Sequence, residues 1–286
     1  MPELPDVEIF KQYLDANALH RRIARTTVQS RDLLRNISAT QLSRALRGKK
    51  FKSSHRHGKF LFVAVTDESW LVLHFGMTGF LKYFKNRADA PPHSRVLIGF
   101  TNGYHLAFDC KRKLGQVRLI NSIDNFIQQR KLGPDALDAR LDLPAFKKIM
   151  RDTGSAVKPA LMNQKRIAGI GNVYSDEILF RAGIHPARTS AGLDDISLQT
   201  LYHAMRTTLQ KVIEYGAEVE RFPKSYLLPH RAGDGRCPRC GRNLKREKFS
   251  GRTAYYCPKD QKRMRTKKAA RRSQAARIPG SRAAVA

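Results

Sequence analysis

Apolar residues first recur at helical spacing, with Val7, Phe10 and Leu14 on one face of a helix that opens at Pro5 and Asp6 and runs to about residue 20. From residue 23 to about 120 the period shortens. Runs of β-branched and aromatic residues at 60–65, 70–75, 80–84, 96–100 and 105–108, separated by turn residues, predict the antiparallel strands of a sandwich or barrel. Asn102-Gly103 between two of these runs predicts a two-residue hairpin turn. Beyond about residue 125 helical spacing returns, and helices are predicted over 125–131, 143–151, 157–163, 174–182 and 198–214. Residues 216–236, broken by Pro223, Pro229 and glycines, predict a linker, and 249–256 a terminal hairpin with Arg252 at its turn. The expected organisation is a multi-domain α+β chain. An antiparallel β-sandwich with a leading helix occupies 1–124, a helical domain 125–225, a small hairpin module 226–261 and a basic tail 262–286.

Composition narrows the class. The 286 residues suffice for roughly two domains with proper cores. Lys and Arg number 54 against 24 Asp and Glu, a formal net charge of +30 that implies a polyanionic partner. A membrane surface would also attract this charge, but no apolar run approaches the roughly 20 residues that span a bilayer. No signal-peptide pattern opens the chain. The expectation is a soluble intracellular protein with nucleic acid as its partner. The tail beyond residue 261 holds no acidic residue and is predicted to be a disordered electrostatic arm, a localisation signal being the other use of such charge.

Chemistry concentrates in a few short stretches. If Met1 is removed, Pro2 presents a secondary amine able to form an iminium with an aldehyde, and Glu3 beside it is a possible acid. The helix dipole beginning there disfavours protonation of that amine. Equally, Pro2 and Pro5 serve simply to stiffen the chain before a helix. Arg56-His57-Gly58-Lys59, Gly76-Met77-Thr78-Gly79 and Asp109-Cys110-Lys111-Arg112-Lys113-Leu114-Gly115 are loops of the predicted sheet region, either solvated turns or carriers of ligand contacts. Gly169-Ile170-Gly171 precedes a helix, where backbone N–H groups can approach a phosphate, although an ordinary helix connection needs the same glycines. Cys237-Pro238-Arg239-Cys240 and Cys257-Pro258-Lys259-Asp260, with sixteen residues between Cys240 and Cys257, have zinc-ribbon spacing. Cys237, Cys240, Cys257 and Asp260 are the candidate ligands. The alternative is a hairpin that packs without metal.

Five segments stand in the order found in the formamidopyrimidine-DNA glycosylase and endonuclease VIII family: Pro2-Glu3-Leu4-Pro5-Asp6-Val7-Glu8, Gly58-Lys59-Phe60-Leu61, His74-Phe75-Gly76-Met77-Thr78-Gly79, Gly169-Ile170-Gly171-Asn172-Val173-Tyr174 and the cysteine module. The chain resembles that family over residues 2–261. The resemblance implies a catalytic sandwich, a helix-two-turn-helix domain and a zinc-finger-like hairpin. It also implies a monomeric DNA repair enzyme, a glycosylase and AP lyase acting on duplex DNA with oxidised bases or abasic sites by β,δ-elimination. In these terms Pro2 is the nucleophile and Schiff-base former, Glu3 assists sugar-ring opening, and Lys59 and Arg252 bind phosphates and assist elimination. Met77 would fill the vacated stack, Arg112 would contact the opposite base and Leu114 would act as wedge, while His93, Lys158 and Asn172 would meet phosphates.

Several positions depart from the family's pattern. Leu114 stands where phenylalanine is common, its loop is one residue longer, and Asp6 replaces glutamate. Residues 216–228 lack the pattern of a lesion-capping loop, which leaves oxidised purine and pyrimidine both open as lesions. Asp260 replaces a fourth cysteine. The competing class is a noncatalytic nucleic-acid-binding protein on the same fold.

Overall fold

The computed structural model describes residues 1–263, so the predicted tail lies outside the described residues from residue 264 onward. The leading helix, α1 (Leu4–Ala18), carries Pro5 in its first turn, where the missing N–H costs no hydrogen bond. Its buried Val7, Leu14 and Ala18 belong to the core of the β region. The chain continues through β1 (Ile23–Val28), α2 (Ala39–Leu46), β2 (Phe51–His57), β3 (Phe60–Val65), β4 (Trp70–His74), β5 (Gly79–Phe84), β6 (Ser94–Phe100), β7 (His105–Cys110) and β8 (Gln116–Ile120). The strands form two four-stranded antiparallel sheets, β1-β6-β7-β5 and β2-β3-β4-β8, a sandwich rather than a barrel. Leu61, Val63, Leu71 and Leu73 of one sheet meet Val96, Ile98, Leu106 and Phe108 of the other in a shared core. The opposite face of β3 and β4 is apolar as well, because Phe62 and Val72 pack under Phe126 of the helical region. That two-sided burial makes residues 60–65 read as an unbroken apolar run.

Two local expectations are corrected. The strand-rich region contains α2, announced by a capping box in which Gln41 N–H donates to Ser38 Oγ and Ser38 N–H donates to Gln41 Oε1. The β6–β7 connection is not a two-residue turn. Phe100 N–H donates to Tyr104 O and Gly103 N–H to Phe100 O, with Gly103 alone of the two central residues left-handed at φ 82°, so the loop spans residues 101–103.

The helical part comprises α3 (Ile123–Arg130), α4 (Leu143–Arg151), α5 (Val157–Met162), α6 (Asn172–Ala182) and α7 (Asp195–Glu214). Asp194 accepts Ser197 N–H at 2.7 Å, which starts α7 a turn before its apolar periodicity begins at Leu198. Tyr174 through Phe180 of α6 are all buried, polar residues included. β9 (Lys245–Phe249) and β10 (Arg252–Tyr256) form the terminal hairpin, closed by Ser250 and Gly251 at φ 47° and 76°. Among the described residues no helix is long and apolar enough to cross a membrane.

A buried ionic tie joins sandwich and helices. Arg56 of β2 binds Asp135 in the segment before α4 and donates from Nε to Glu8 Oε2 of α1 at 2.7 Å. Gly58 N–H, in the β2–β3 turn, donates to Asp135 Oδ2 at 2.6 Å. Asp135→Ala would leave the enclosed guanidinium with Glu8 as its one carboxylate partner, and a loss of about 3 kcal/mol is expected in denaturant unfolding, larger than for Glu8→Ala.

Candidate active site

The Glu3 side chain is the best-defined feature of the N-terminal region. It is 1% exposed and accepts hydrogen bonds from Gly171 N–H at 2.7 Å, Val173 N–H at 2.9 Å and Tyr174 N–H at 3.3 Å. These are free donors at the start of α6, where an anion is favoured by both unsatisfied N–H groups and the helix dipole. The phosphate approach expected for the Gly169–Gly171 loop is therefore corrected, since this helix start is filled by the protein's own carboxylate. Gly171 allows the fit, because a Cβ there would lie 2.3 Å from Glu3 Cδ. Glu3 also caps α1: its N–H donates to Asp6 Oδ2 at 2.8 Å. Leu4 N–H donates to Gly169 O at 3.0 Å, so the two helix starts are stitched by backbone as well.

Lys59 leaves the β2–β3 turn and is 8% exposed. Burial, the largest influence, lowers its pKa; Glu3 and Asp6 oppose that effect and Arg252 adds to it. Lys59 thus lies within the field of both N-terminal carboxyls and of the hairpin arginine, which is itself exposed. Burial pushes Asp6 up to about 6 despite the Glu3 N–H that favours its charged form. The Tyr174 hydroxyl, pushed well up by burial and by Asp6 and Glu3, keeps its proton. His74 is pushed down to about 4 by burial, with Lys59, Arg130 and Arg118 adding to the effect, and is neutral at pH 7. Glu3, at α1's start, and Arg252, on the terminal hairpin, thus both act on the charge of Lys59 at the strand turn, and Pro2 is bonded to Glu3. A groove of about 1090 Å³, lined by His55, Trp70 and Asp138 with Arg56 and Asp135, is elsewhere and includes none of these four residues.

Met77 and Leu114 are exposed apolar residues, at 36% and 49%. Their loops touch, since a Cβ on Gly76, held at φ 61°, would lie 2.5 Å from the Leu114 carbonyl carbon. Arg112 N–H donates to Thr78 Oγ1 at 3.1 Å, which gathers Met77, Arg112 and Leu114 on one surface. His93 joins the base of that loop through its N–H to Asp109 Oδ2 at 2.8 Å.

Lys158 is a correction. Its side chain is fully enclosed, with Nζ donating to Asn172 O and Ser175 Oγ at 3.0 Å and to Asp176 Oδ1 at 2.5 Å, so it braces α6 from inside instead of facing an external phosphate. Asn172 Oδ1, at the first residue of α6, is buried without a hydrogen-bond partner among the described residues. Gln164 was not singled out by the pattern. Its Nε2 donates to Met162 O and Ile170 O at 2.7 Å and its Oε1 accepts Gly169 N–H at 3.0 Å, bracing the loop that receives Glu3. One glutamine inside the polar run 163–166 gives no sequence signal for such a role.

One ligand atom each from Cys237, Cys240, Cys257 and Asp260 lies within 4.8 Å of all the others. Cys240 Sγ and Cys257 Sγ are 3.5 Å apart and Cys237 Sγ and Asp260 Oδ2 3.6 Å, close to the roughly 3.3–3.8 Å edges of a tetrahedron with zinc at its centre. The donors fit a structural zinc ion. The module docks on α6 through Phe180, packed with Leu227, Cys237 and Cys257 and covered by the Arg239 guanidinium at 4.3 Å.

Three family models match the chain: the formamidopyrimidine-DNA glycosylase N-terminal domain over residues 1–117, its H2TH domain over 132–224 and the zinc finger found in FPG and IleRS over 235–263. A formamidopyrimidine-DNA glycosylase of Pelotomaculum thermopropionicum is 31% identical over 92% of this chain and 99% of its own length. That of Geobacter metallireducens is 33% identical over 91% and 100%. A solved complex of Lactococcus lactis Fpg with abasic-site DNA superimposes with a TM-score of 0.83 at 27% identity, covering 91% of this chain and 100% of that one. A complex of the same protein with N7-benzyl-Fapy-dG DNA gives 0.84 at 26%, covering 92% and 100%.

Two outcomes are expected. Gly171→Ala should expel the Glu3 carboxylate, lowering stability by about 2 kcal/mol and speeding hydrogen exchange at the Val173 and Tyr174 amides. Purified protein should carry about one zinc per chain, and Asp260→Ala should release it at lower chelator concentration.

Proposed function

The chain belongs to the formamidopyrimidine-DNA glycosylase family, the DNA glycosylases of base-excision repair, and from that membership we propose a bifunctional enzyme that excises an oxidised base and then cuts the strand through the amine of Pro2. With Met1 removed, the Pro2 nitrogen attacks C1′ of the damaged nucleotide. The base leaves with the bonding pair, ring opening gives an iminium, and the C2′ proton becomes acidic. Its loss expels the 3′ phosphate, and a second elimination expels the 5′ phosphate. Water then releases Pro2.

The observation that carries this reading is the fixed Glu3 carboxylate beside Pro2, with the partly desolvated Lys59 in its field. Glu3 is positioned before substrate arrives, as proton transfer to the sugar oxygen requires. Lys59, its pKa lowered by burial, gives up a proton more readily than an exposed lysine and as a cation stabilises a departing phosphate. Arg252, the first residue of β10 after the Ser250–Gly251 turn, contributes charge to the same leaving oxygens. The paired loops of Met77, Arg112 and Leu114 suit the gap left by a flipped nucleotide, with Leu114 as an apolar wedge. The partner is DNA holding damaged or abasic nucleotides.

Borohydride reduction in the presence of an abasic-site duplex should trap one covalent adduct per chain, lost in Pro2→Gly and reduced in Glu3→Gln. Protein with verified Met1 removal that binds the duplex yet yields no adduct would indicate the noncatalytic alternative.

A further inference from the structure

Two arginines share one glutamine, and a third, whose own guanidinium donates to Asp32 O and Leu34 O, lies within the field of the first. In the β2-β3-β4-β8 sheet the register aligns Phe60, His74 and Gln116 in one rung and Phe62, Val72 and Arg118 in the next. Gln116 and Arg118 are therefore on the sheet face that α3 covers, two residues apart on the edge strand. Gln116 Oε1 accepts from Arg118 Nη2 at 3.2 Å and from Arg130 Nη2 of α3 at 3.3 Å. Arg35 joins from the segment after β1, its N–H bonded to Val117 O at 3.0 Å, and its charge together with that of Arg130 lowers the Arg118 pKa beyond what burial does. Arg118 Nε is buried without a hydrogen-bond partner among the described residues. Asp32, three residues before Arg35, is exposed and pairs with Lys113 at 3.4 Å.

Like charges held this close, sharing a single neutral acceptor and leaving a buried donor unused, make a favourable place for an oxyanion. The cluster is also connected to the catalytic region: His74 feels Lys59 on one side and Arg130 and Arg118 on the other. On the glycosylase reading the anion on that side is the DNA backbone. We propose that Arg118 and Arg130, with Gln116 spacing them and Arg35 adding charge, form a phosphodiester-binding subsite for DNA, separate from the phosphate contacts of Lys59 and Asn172. Two planar guanidinium groups turned toward one acceptor suit the non-bridging oxygens of one phosphate. The site adds affinity without reading sequence.

The test measures binding of the full chain to a duplex with a non-cleavable abasic-site analogue across a KCl series. Arg118→Gln/Arg130→Gln should weaken binding roughly tenfold and reduce the log–log salt slope by about 1. Because Arg118 is partly enclosed, Arg130→Gln alone and Gln116→Ala serve as milder variants, each expected to weaken binding less. A scan of single methylphosphonate linkages should find one neutral phosphate that reproduces the loss in the wild type and adds nothing in the double variant. Unchanged affinity and slope in folded variants that still form the borohydride adduct would overturn the subsite alone. Loss of the adduct from the wild type would overturn the catalytic reading, while a slope difference between wild type and variant would still uphold the subsite.

Discussion

The Glu3 carboxylate, received by the N–H groups of Gly171, Val173 and Tyr174, is the contact on which the catalytic arrangement depends, because it fixes the starts of two helices at one point. Helix starts leave donors that must find partners when buried. Here α6 finds them on α1's capping residue, and α1 in turn binds the loop before α6 through Leu4 and Gly169. The start of the chain is thereby held against a deeply buried helix. An amine attached to Glu3 inherits that rigidity, and orientation of this kind lowers a reaction barrier by several kcal/mol.

α6 extends the constraint through the molecule. Asp176 pairs on one side with Lys158 and on the other with Arg231 Nε at 2.8 Å, while Glu177 accepts Leu228 N–H at 2.9 Å. Burying isolated charges would cost several kcal/mol each, so these side chains persist because each meets a partner from a different segment. Burial pushes Glu177 up to about 7, with the N–H groups of Leu228 and Leu227 opposing it. The linker residues 226–231 are thus fastened to the same helix whose far end carries the cysteine module. Position of the hairpin bearing Arg252 and position of Glu3 are consequences of one scaffold.

The sequence makes much of this legible, for identifiable reasons. β3, β4 and the helices after residue 125 carry strong apolar periods, and both cysteine knuckles are local in the chain. The capping box of α2 is equally local, yet it is short and sits among strands, so the surrounding β pattern hides it. What local reading cannot supply is the partner of a buried charge. Lys158 reads as one more cation in a basic protein until the structure shows Asp176 and Ser175 enclosing it. The Gly169–Gly171 loop has the features of an anion site, but the anion is supplied from the opposite end of the sequence. The Gln116, Arg118 and Arg130 cluster is invisible for the same reason, being made by strand register and a helix end.

The Glu3–Gly171 hydrogen bond spans 168 positions of sequence, and this separation sets an order of events during synthesis. The N-terminal sandwich, with Lys59 and the Met77 and Leu114 loops, leaves the ribosome long before Gly171 is made, and Arg252 emerges later still. Through that interval a newly exposed Pro2 amine has neither its fixed carboxylate neighbour nor its hairpin arginine. On the proposed reading, a nascent or truncated chain carries the Pro2 nucleophile without the surroundings that make it act on DNA, and competence arrives only as the last tenth or so of the described residues is added.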